Sequence, residues 1–353
     1  MSKVLLLLAA LLAGLSGSAR AGDDDFYAVA PDLVPGPPGS IIRMEGRPDI
    51  AVTKSFVWRI VYRSTGFRGN PIAVSATVLV PFARPPEGGW PVIAWAHGTT
   101  GIVPKCGPSK LPDPLLRIPG VDTALTDHYV IIATDYQGLG VGPAHPYLIG
   151  ESEGRGVLDS IRAVQQMPEA HAGLRTVLLG FSQGGHAVLW ANQIAPAYAP
   201  ELDLIGVAAF APPTYLGELF TDDYDDLSGR ILTGLVLESW SDPDVYALSL
   251  DSMIVPREYA PFHKIGDNCI DLVLDELSDL AENRRIPKDF LKADPATTPP
   301  WSTIMAQNIP SAARSAVPFY IAQGTADTTV DAPVTVKFVR RMCEAGNVVA
   351  FEK

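Results

Sequence analysis

Short apolar runs alternate along most of the chain with stretches that have helical spacing. The apolar runs are typical of buried strands and lie at 91–96, 129–134, 176–181, 204–210, 317–323 and 348–351. The stretch 152–167 places four apolar side chains on one helical face: Val157, Leu158, Ile161 and Val164. Strands that alternate with helices predict the α/β fold class, with a mainly parallel sheet covered on both faces.

The pattern before these strands is different. Two β-rich runs, 56–62 and 73–80, flank a Gly69-Asn70 turn, so we expect an antiparallel pair there. Residues 22–50 are rich in Pro, Gly and Asp and show no periodicity, which predicts an irregular arm over the surface.

The first residues have the pattern of a secretory signal peptide. A positive charge at Lys3 precedes a short apolar run, 4–15, and small residues follow at Ala19 and Ala21. The run is too short to span a bilayer, and no later run is long enough to do so. We therefore expect residues 1–21 to be removed and the mature protein to be secreted and soluble.

Residues 213–309 interrupt the alternation of strands and helices. They are rich in Asp, Pro and Tyr and carry few strand signals, which indicates an insertion between two strands of one sheet. The core would then consist of 51–212 and 310–353. Such an insertion is expected to form a cap above the carboxyl ends of the strands, where sheets of this class bind ligands.

Charge and cysteine content narrow the possible functions. Acidic residues outnumber basic ones by 39 to 27, so the chain would repel a nucleic acid. No Cys-x-x-Cys or His-Glu-x-x-His spacing indicates a metal site, and we predict no cofactor. The three cysteines are Cys106, Cys269 and Cys343, and an odd number leaves one of them free or without its partner.

The strongest chemical motif is Gly180-Phe181-Ser182-Gln183-Gly184, which lies between a predicted strand and a predicted helix. In that context Gly-x-Ser-x-Gly is typical of a nucleophile elbow, whose glycines avoid the clash that a Cβ would make in so tight a turn. The adjacent helix N-terminus favours developing negative charge. We predict Ser182 as a catalytic nucleophile; the alternative is a glycine-rich turn with a capping serine.

A second motif, His97-Gly98-Thr99, follows the strand at 91–96. Where a serine elbow is present, the loop at this position donates one N–H to an oxyanion hole, and the residue after the nucleophile donates the other. We therefore predict the backbone N–H groups of Thr99 and Gln183 as the donors, with the Thr99 hydroxyl as a possible third. His97 is expected to be structural and to pin the loop.

The acid and the base of a triad should follow in the order serine, acid, histidine. Asp327, in the loop after strand 317–323, is the predicted acid, and Asp331 is the second choice. The base should follow the strand at 348–351, but no histidine lies beyond His263. We expect the chain to continue past its last printed residue to a histidine; the alternative is a protein without the usual triad, since the histidines present are expected to be structural.

Four segments together resemble the secretory lipase family, the group that includes the yeast lipase A type. They are the nucleophile region 180–191, Tyr-Ala-Pro-Glu-Leu at 198–202, the motif His-Gly-Thr-Thr-Gly at 97–101 and Thr-Asp-Tyr-Gln-Gly at 134–138. The resemblance implies an α/β-hydrolase core with an inserted, mostly helical cap and an extracellular location. It also implies hydrolysis of triacylglycerols or simpler carboxylic esters in lipid catabolism, and it supports Ser182 and Asp327 as triad members.

The resemblance further implies a disulfide between Cys106 and Cys269, which would tie the oxyanion side of the core to the cap. Cys343 would then lack a partner, as Ser182 lacks its histidine. An apolar helical face at 270–281 has two interpretations: a lid that meets lipid, or a helix packed inside the cap.

Other functions remain open from the sequence alone. The same triad could serve a short-chain carboxylesterase or a peptidase, because fold does not determine which bond is cleaved. A protein that truly lacks the base would be a hydrolase-fold binding protein without catalytic activity. The expected partner is an ester or lipid substrate, in the lipase case at a lipid–water interface.

Overall fold

The computed structural model describes residues 23–50, 54–222, 227–270, 287 and 289–353. The predicted signal peptide, 1–21, and all but the first residue of the predicted helix 270–281 therefore lie outside the described residues.

One mixed sheet runs through the molecule. Its strands are β1 Ile41–Gly46, β2 Ser55–Thr65, β3 Pro71–Pro81, β4 Trp90–Ala96, β5 Val130–Thr134, β6 Ala172–Phe181, β7 Asp203–Phe210, β8 Phe319–Ala322 and β9 Val349–Glu352. They are ordered β1-β2-β3-β5-β4-β6-β7-β8-β9. The pairs β1–β2, β2–β3 and β3–β5 are antiparallel, and every pair from β5 through β4 to β9 is parallel. The predicted α/β class and the predicted antiparallel pair are both confirmed.

The arm predicted as irregular contains a strand, and that part of the prediction is wrong. β1 pairs with β2 along 41–46, and Gly46 lies opposite Trp58. An edge strand with half-exposed side chains can form through backbone pairing alone, so its sequence shows little apolar alternation. Arg43 then ties the segment before it to the strand by donating to the carbonyl oxygens of Asp25 and Phe26.

The helices cover the sheet and fill the connection between β7 and β8. They are α1 Asp23–Tyr27, α2 Val121–Thr126, α3 Gly150–Gln165, α4 Gln183–Tyr198, α5 Leu216–Asp222, α6 Leu227–Ser241, α7 Tyr259–Gly266, α8 Trp301–Gln307 and α9 Ala332–Glu344. α3 and α4 pack side by side on the sheet, and a Cβ at Gly154 would lie only 3.0 Å from the backbone of Ala191. No helix within the described ranges is both long enough and apolar enough to cross a membrane.

The β7–β8 segment, residues 211–318, contributes most of a second apolar core, which Ile102, Ala144 and residues 147–149 complete. Trp240 of α6 stacks on Trp301 of α8, with ring centroids 6.1 Å apart, and both side chains are fully buried. A disulfide joins Cys106, in the loop after β4, to Cys269, just after α7. This confirms the pairing that the family resemblance implied, and it places a covalent link between the segment and the core.

Candidate active site

Ser182 lies in a sharp turn between the end of β6 and the start of α4. Its backbone has φ 53° and ψ −119°, a conformation that non-glycine residues adopt only when the surroundings impose it. A Cβ on Gly184 would lie 1.8 Å from the carbonyl oxygen of Ala96, and a Cβ on Gly180 would lie 2.1 Å from that of Gly184. The glycines are therefore required because the first turn of α4 rests directly on β4 and β6.

The loop after β4 is brought to the elbow by the same close packing. A Cβ on Gly98 would lie 3.1 Å from the ring of Phe181, the residue before Ser182. The backbone N–H groups of Thr99 and Gln183 make no hydrogen bond to any described residue, whereas the Ser182 N–H donates to the Phe210 carbonyl at 2.8 Å. Two unpaired N–H groups beside a serine are the arrangement that an oxyanion hole needs.

The Thr99 hydroxyl lies 2.7 Å from the hydroxyl of Tyr147, a residue that the sequence did not single out. Burial raises the pKa of Tyr147, so this hydroxyl stays protonated and can donate. The backbone of Tyr147 is anchored to α6, because the Tyr147 N–H donates to Ser239 Oγ at 3.0 Å and the Tyr147 carbonyl accepts from Trp240 Nε1 at 2.9 Å. Nothing in the local sequence around Tyr147 indicates this position, since the anchors lie about 90 residues away.

His97 is buried and holds the loop, in keeping with the structural role expected for it. Burial lowers its pKa to about 4, so the ring is neutral at physiological pH. Its Nδ1 lies 2.6 Å from the Gly98 carbonyl, to which it donates, and its own carbonyl accepts from the Tyr136 hydroxyl at 2.8 Å.

Asp327 lies in the loop between β8 and α9 and is held in one orientation. Its Oδ1 accepts from the backbone N–H groups of Thr329 and Val330, at 2.9 and 3.0 Å, and its Oδ2 accepts from Gln323 Nε2 at 3.1 Å. Asp331, the second choice for the acid, makes no side-chain hydrogen bond to the described part of the chain. The geometry thus favours Asp327 as the fixed carboxylate.

A small cavity of about 30 Å³ lies beside Ser182. Ser182 and Gln183 line it together with Tyr147 and with Thr329 of the Asp327 loop. The remaining lining is almost entirely apolar: Leu148, Pro213, Leu216, Leu219, Phe220, Gly229, Leu232 and Val330. A space of this size holds about one water molecule, so a larger ligand has to displace lining side chains.

Among the described residues, no histidine imidazole forms a hydrogen bond with the side chain of Ser182 or Asp327. His145 and His186 both belong to a buried group of hydrogen-bonded side chains around Gln183, the residue after Ser182. In the part of the chain that the structure describes, no cluster of three or more His, Cys, Asp or Glu side chains is arranged to hold a metal ion.

A family model described as secretory lipase matches residues 120–353, more than half of the chain. The chain belongs to the secretory lipase family. The matched region contains Ser182, Gln183 and Asp327 but not Thr99, so the family match bears on the elbow and the acid loop.

Several proteins named as lipases are similar in sequence. Lipase A of Moesziomyces aphidis is 27% identical over 250 residues, covering 67% of this chain and 52% of the relative. Lipase 6 of Candida albicans is 28% identical over 291 residues, covering 75% and 60%. A Mycobacterium tuberculosis protein named a probable inactive lipase is 28% identical over 231 residues, covering 60% and 49%. The chain thus spans about half the length of these curated relatives.

Solved structures agree on the fold. Candida antarctica lipase A superposes with a TM-score of 0.75 at 19% identity, over 95% of this chain and 81% of that one. A rice cell wall degrading esterase from Xanthomonas oryzae superposes with a TM-score of 0.73 at 19% identity, over 90% and 91%. The chain therefore has an α/β-hydrolase fold, as the resemblance implied.

Proposed function

We propose that the protein is a secreted carboxylic ester hydrolase that acts through Ser182, and more specifically a triacylglycerol lipase. The observation that supports this most is the strained elbow at Ser182, with two unpaired N–H groups beside it and an apolar cavity in front. A strained backbone next to free N–H donors is expected at a catalytic serine, whereas a serine that only caps a helix requires neither feature.

The proposed reaction begins with attack of Ser182 Oγ on the ester carbonyl. The negative charge that develops on the carbonyl oxygen is stabilised by the N–H groups of Gln183 and Thr99, and loss of one such donor costs about 3–4 kcal/mol of barrier. Collapse of the tetrahedral intermediate releases the alcohol and leaves an acyl-enzyme. Water then attacks the acyl group, and the acid leaves.

The serine proton requires a base. Asp327 Oδ1 is occupied by two backbone N–H groups, while Oδ2 has a single partner within the described residues and can still accept from an imidazole. We propose a histidine placed after β9 as this base, oriented by Asp327 as in other serine triads.

The substrate class follows from the lining of the cavity. Leucine, proline and phenylalanine side chains suit an acyl chain and offer no partner to a charged group. Because most of these side chains belong to the β7–β8 segment, we propose that this segment, predicted as the cap 213–309, moves to admit substrate. Secretion is supported by the predicted signal peptide and by the Cys106–Cys269 disulfide, which favours an oxidising compartment.

The test compares Ser182→Ala, Asp327→Asn and Asp331→Asn in the protein produced from its full gene, with soluble p-nitrophenyl esters and emulsified triacylglycerol. Ser182→Ala should lower kcat by about 10⁶-fold because the nucleophile is lost, and Asp327→Asn by about 10⁴-fold because the histidine base loses its orientation. Asp331→Asn should keep nearly full activity. Wild-type activity in Ser182→Ala would remove the assignment, and equal rates on soluble and emulsified esters would indicate an esterase rather than a lipase.

A further inference from the structure

Four polar side chains and one backbone carbonyl are buried together behind the elbow, and the reaction described above uses only the backbone of one of these residues, Gln183. This group, called the Glu153 cluster below, consists of Glu153, Gln183, His145, His186 and Asn308. Glu153 and His186 are completely inaccessible to solvent. Burying an ionisable group costs free energy unless hydrogen bonds offset the lost hydration. The hydrogen bonds of the cluster therefore indicate which neighbouring groups it holds in place.

A buried hydrogen bond joins His186 to Glu153. His186 Nδ1 lies 2.7 Å from Glu153 Oε2, and its Nε2 lies 2.8 Å from the Asn308 carbonyl oxygen. Since a carbonyl oxygen only accepts, Nε2 carries a hydrogen, and the second proton lies between Nδ1 and Oε2. Wherever that proton resides, Glu153 Oε1 remains free to accept.

Oε1 accepts from the backbone N–H of Leu148 at 3.2 Å and from the side chain of Gln183, the residue that follows Ser182. Gln183 Nε2 donates one hydrogen to Glu153 Oε1 at 2.9 Å and the other to His145 Nε2 at 2.8 Å. His145 is a suitable acceptor because its Nδ1 donates to the Gln137 carbonyl at 2.7 Å, and burial lowers its pKa and keeps it neutral. Both amide hydrogens of Gln183 are therefore used in hydrogen bonds to buried acceptors, which hold the side chain in one orientation.

Fixing that side chain constrains the backbone beside it. Gln183 is the first residue of α4, where a backbone N–H has no acceptor within the helix and its direction depends on the surrounding contacts. The elbow glycines define the path of the chain through close backbone packing, and Glu153 adds a hydrogen bond to the side chain of Gln183.

We propose that Glu153 is a positioning residue for the oxyanion hole: through Gln183 Nε2 it holds the Gln183 backbone N–H toward the cavity. This inference rests on the proposed function, since an oxyanion has to form there for the positioning to matter. The contact on His186 extends the cluster to Asn308, directly after α8, whose Oδ1 also accepts from the Gly150 N–H at 2.8 Å. The donor is thus braced against α3 and the end of the β7–β8 segment.

Two substitutions at Glu153 separate the role of its hydrogen bonds from the role of its carboxyl group. In Glu153→Gln the amide oxygen can still accept from Gln183, and the amide nitrogen can donate to a neutral His186 ring. In Glu153→Leu the side-chain volume is nearly kept, and the hydrogen bonds of Glu153 to Gln183, His186 and the Leu148 N–H are all lost. We expect Glu153→Leu to lower kcat about 10- to 100-fold with KM changed less than about twofold, and Glu153→Gln to stay within about threefold of wild type.

A double-mutant cycle shows whether the effect passes through Gln183. Gln183→Leu alone should lower kcat about as much as Glu153→Leu, and the double variant should be no slower than either single variant. Multiplying effects in the double variant would overturn the inference, because Glu153 would then act by another route. Glu169→Gln, at an exposed glutamate, is the matched control and should leave kcat unchanged.

A second measurement does not depend on catalysis. In ¹⁵N-labelled protein, the backbone amide resonance of Gln183 should move in Glu153→Leu and stay near its wild-type position in Glu153→Gln and Glu169→Gln. An unmoved resonance in Glu153→Leu would overturn the positioning role. If Ser182→Ala hydrolyses esters as fast as wild type, the proposed function fails, and this resonance alone decides whether Glu153 positions the Gln183 amide.

Discussion

The elbow and the acid loop lie on the same edge of the sheet but are held by different forces. At the elbow, Gly180 and Gly184 leave no room for a Cβ against neighbouring carbonyl oxygens. In the acid loop, Asp327 is oriented by three hydrogen bonds, and a Cβ on Gly324 would meet nothing closer than 3.7 Å. A position fixed by steric contact fails completely when it is changed, whereas one fixed by separate bonds weakens in steps.

Gly184→Ala should have the largest effect and should break the elbow. Its Cβ would overlap the Ala96 carbonyl, so either α4 or β4 has to shift, and we expect a loss of more than about 4 kcal/mol or failure to fold. Gly324→Ala is the matched change in the acid loop and should alter stability by less than about 1 kcal/mol. Chemical unfolding of both variants measures the difference, and similar losses would contradict the contrast drawn here.

The elbow side also contains a buried acid, which should give it a pH dependence of its own. Asp135 follows β5 and accepts from Ser75 Oγ at 2.6 Å, from the Ser109 N–H at 3.0 Å and from the Ser109 hydroxyl. Burial raises its pKa to about 6, with the serine bonds opposing the shift. Because the folded state holds this proton more tightly than the unfolded chain, the contribution is stabilising at low pH and is lost as pH rises to 6.

Comparison with Asp135→Asn isolates this contribution. From about pH 3 to pH 7, the free energy of unfolding of the wild type should fall by about 3 kcal/mol relative to the variant, as the pKa difference requires. Urea unfolding at a series of pH values provides the measurement. Parallel pH profiles for the two proteins would show that burial does not raise the pKa of Asp135.

Thr335→Val should produce the smallest of these effects and tests the acid loop. The Thr335 hydroxyl donates to Gln323 Oε1 at 2.7 Å, and both side chains are buried. Removing the donor leaves that oxygen without this partner, at a cost of about 1–3 kcal/mol, while Gln323 can still donate to Asp327. Thr325→Val, at an exposed position of the same loop, should leave the stability unchanged. Equal losses of stability in the two variants would contradict the view that separate hydrogen bonds hold the acid loop.

Local patterns predicted most of the fold because a buried strand or an amphipathic helix shows itself within a few residues. The antiparallel pair before β4, the parallel strands and the elbow helix all agree with the structure. β1 was missed because edge pairing needs no apolar alternation. The sequence motif predicts Ser182 as the nucleophile and the chain order of a triad predicts Asp327 as the acid, because both depend on short segments with a fixed geometry; both roles stay predictions.

The supporting side chains could not be predicted in the same way. Glu153 and His186 are 33 residues apart, and Asn308 lies 122 residues from His186, so no local spacing connects them. Tyr147 likewise meets Thr99 across 48 residues. Contacts of this kind depend on the packing of α3, α4 and the β7–β8 segment, which only the folded chain brings together.

The Cys106–Cys269 bond divides the chain in a way that matters for proteolysis. It closes a covalent ring that contains Ser182 and Gln183, while Thr99 and Asp327 lie outside it. A peptidase that cuts the backbone once within the ring produces no separate fragment, and the nicked protein still migrates as one species until it is reduced. In a compartment rich in peptidases, the nucleophile would remain tethered to the core after damage that would otherwise release it.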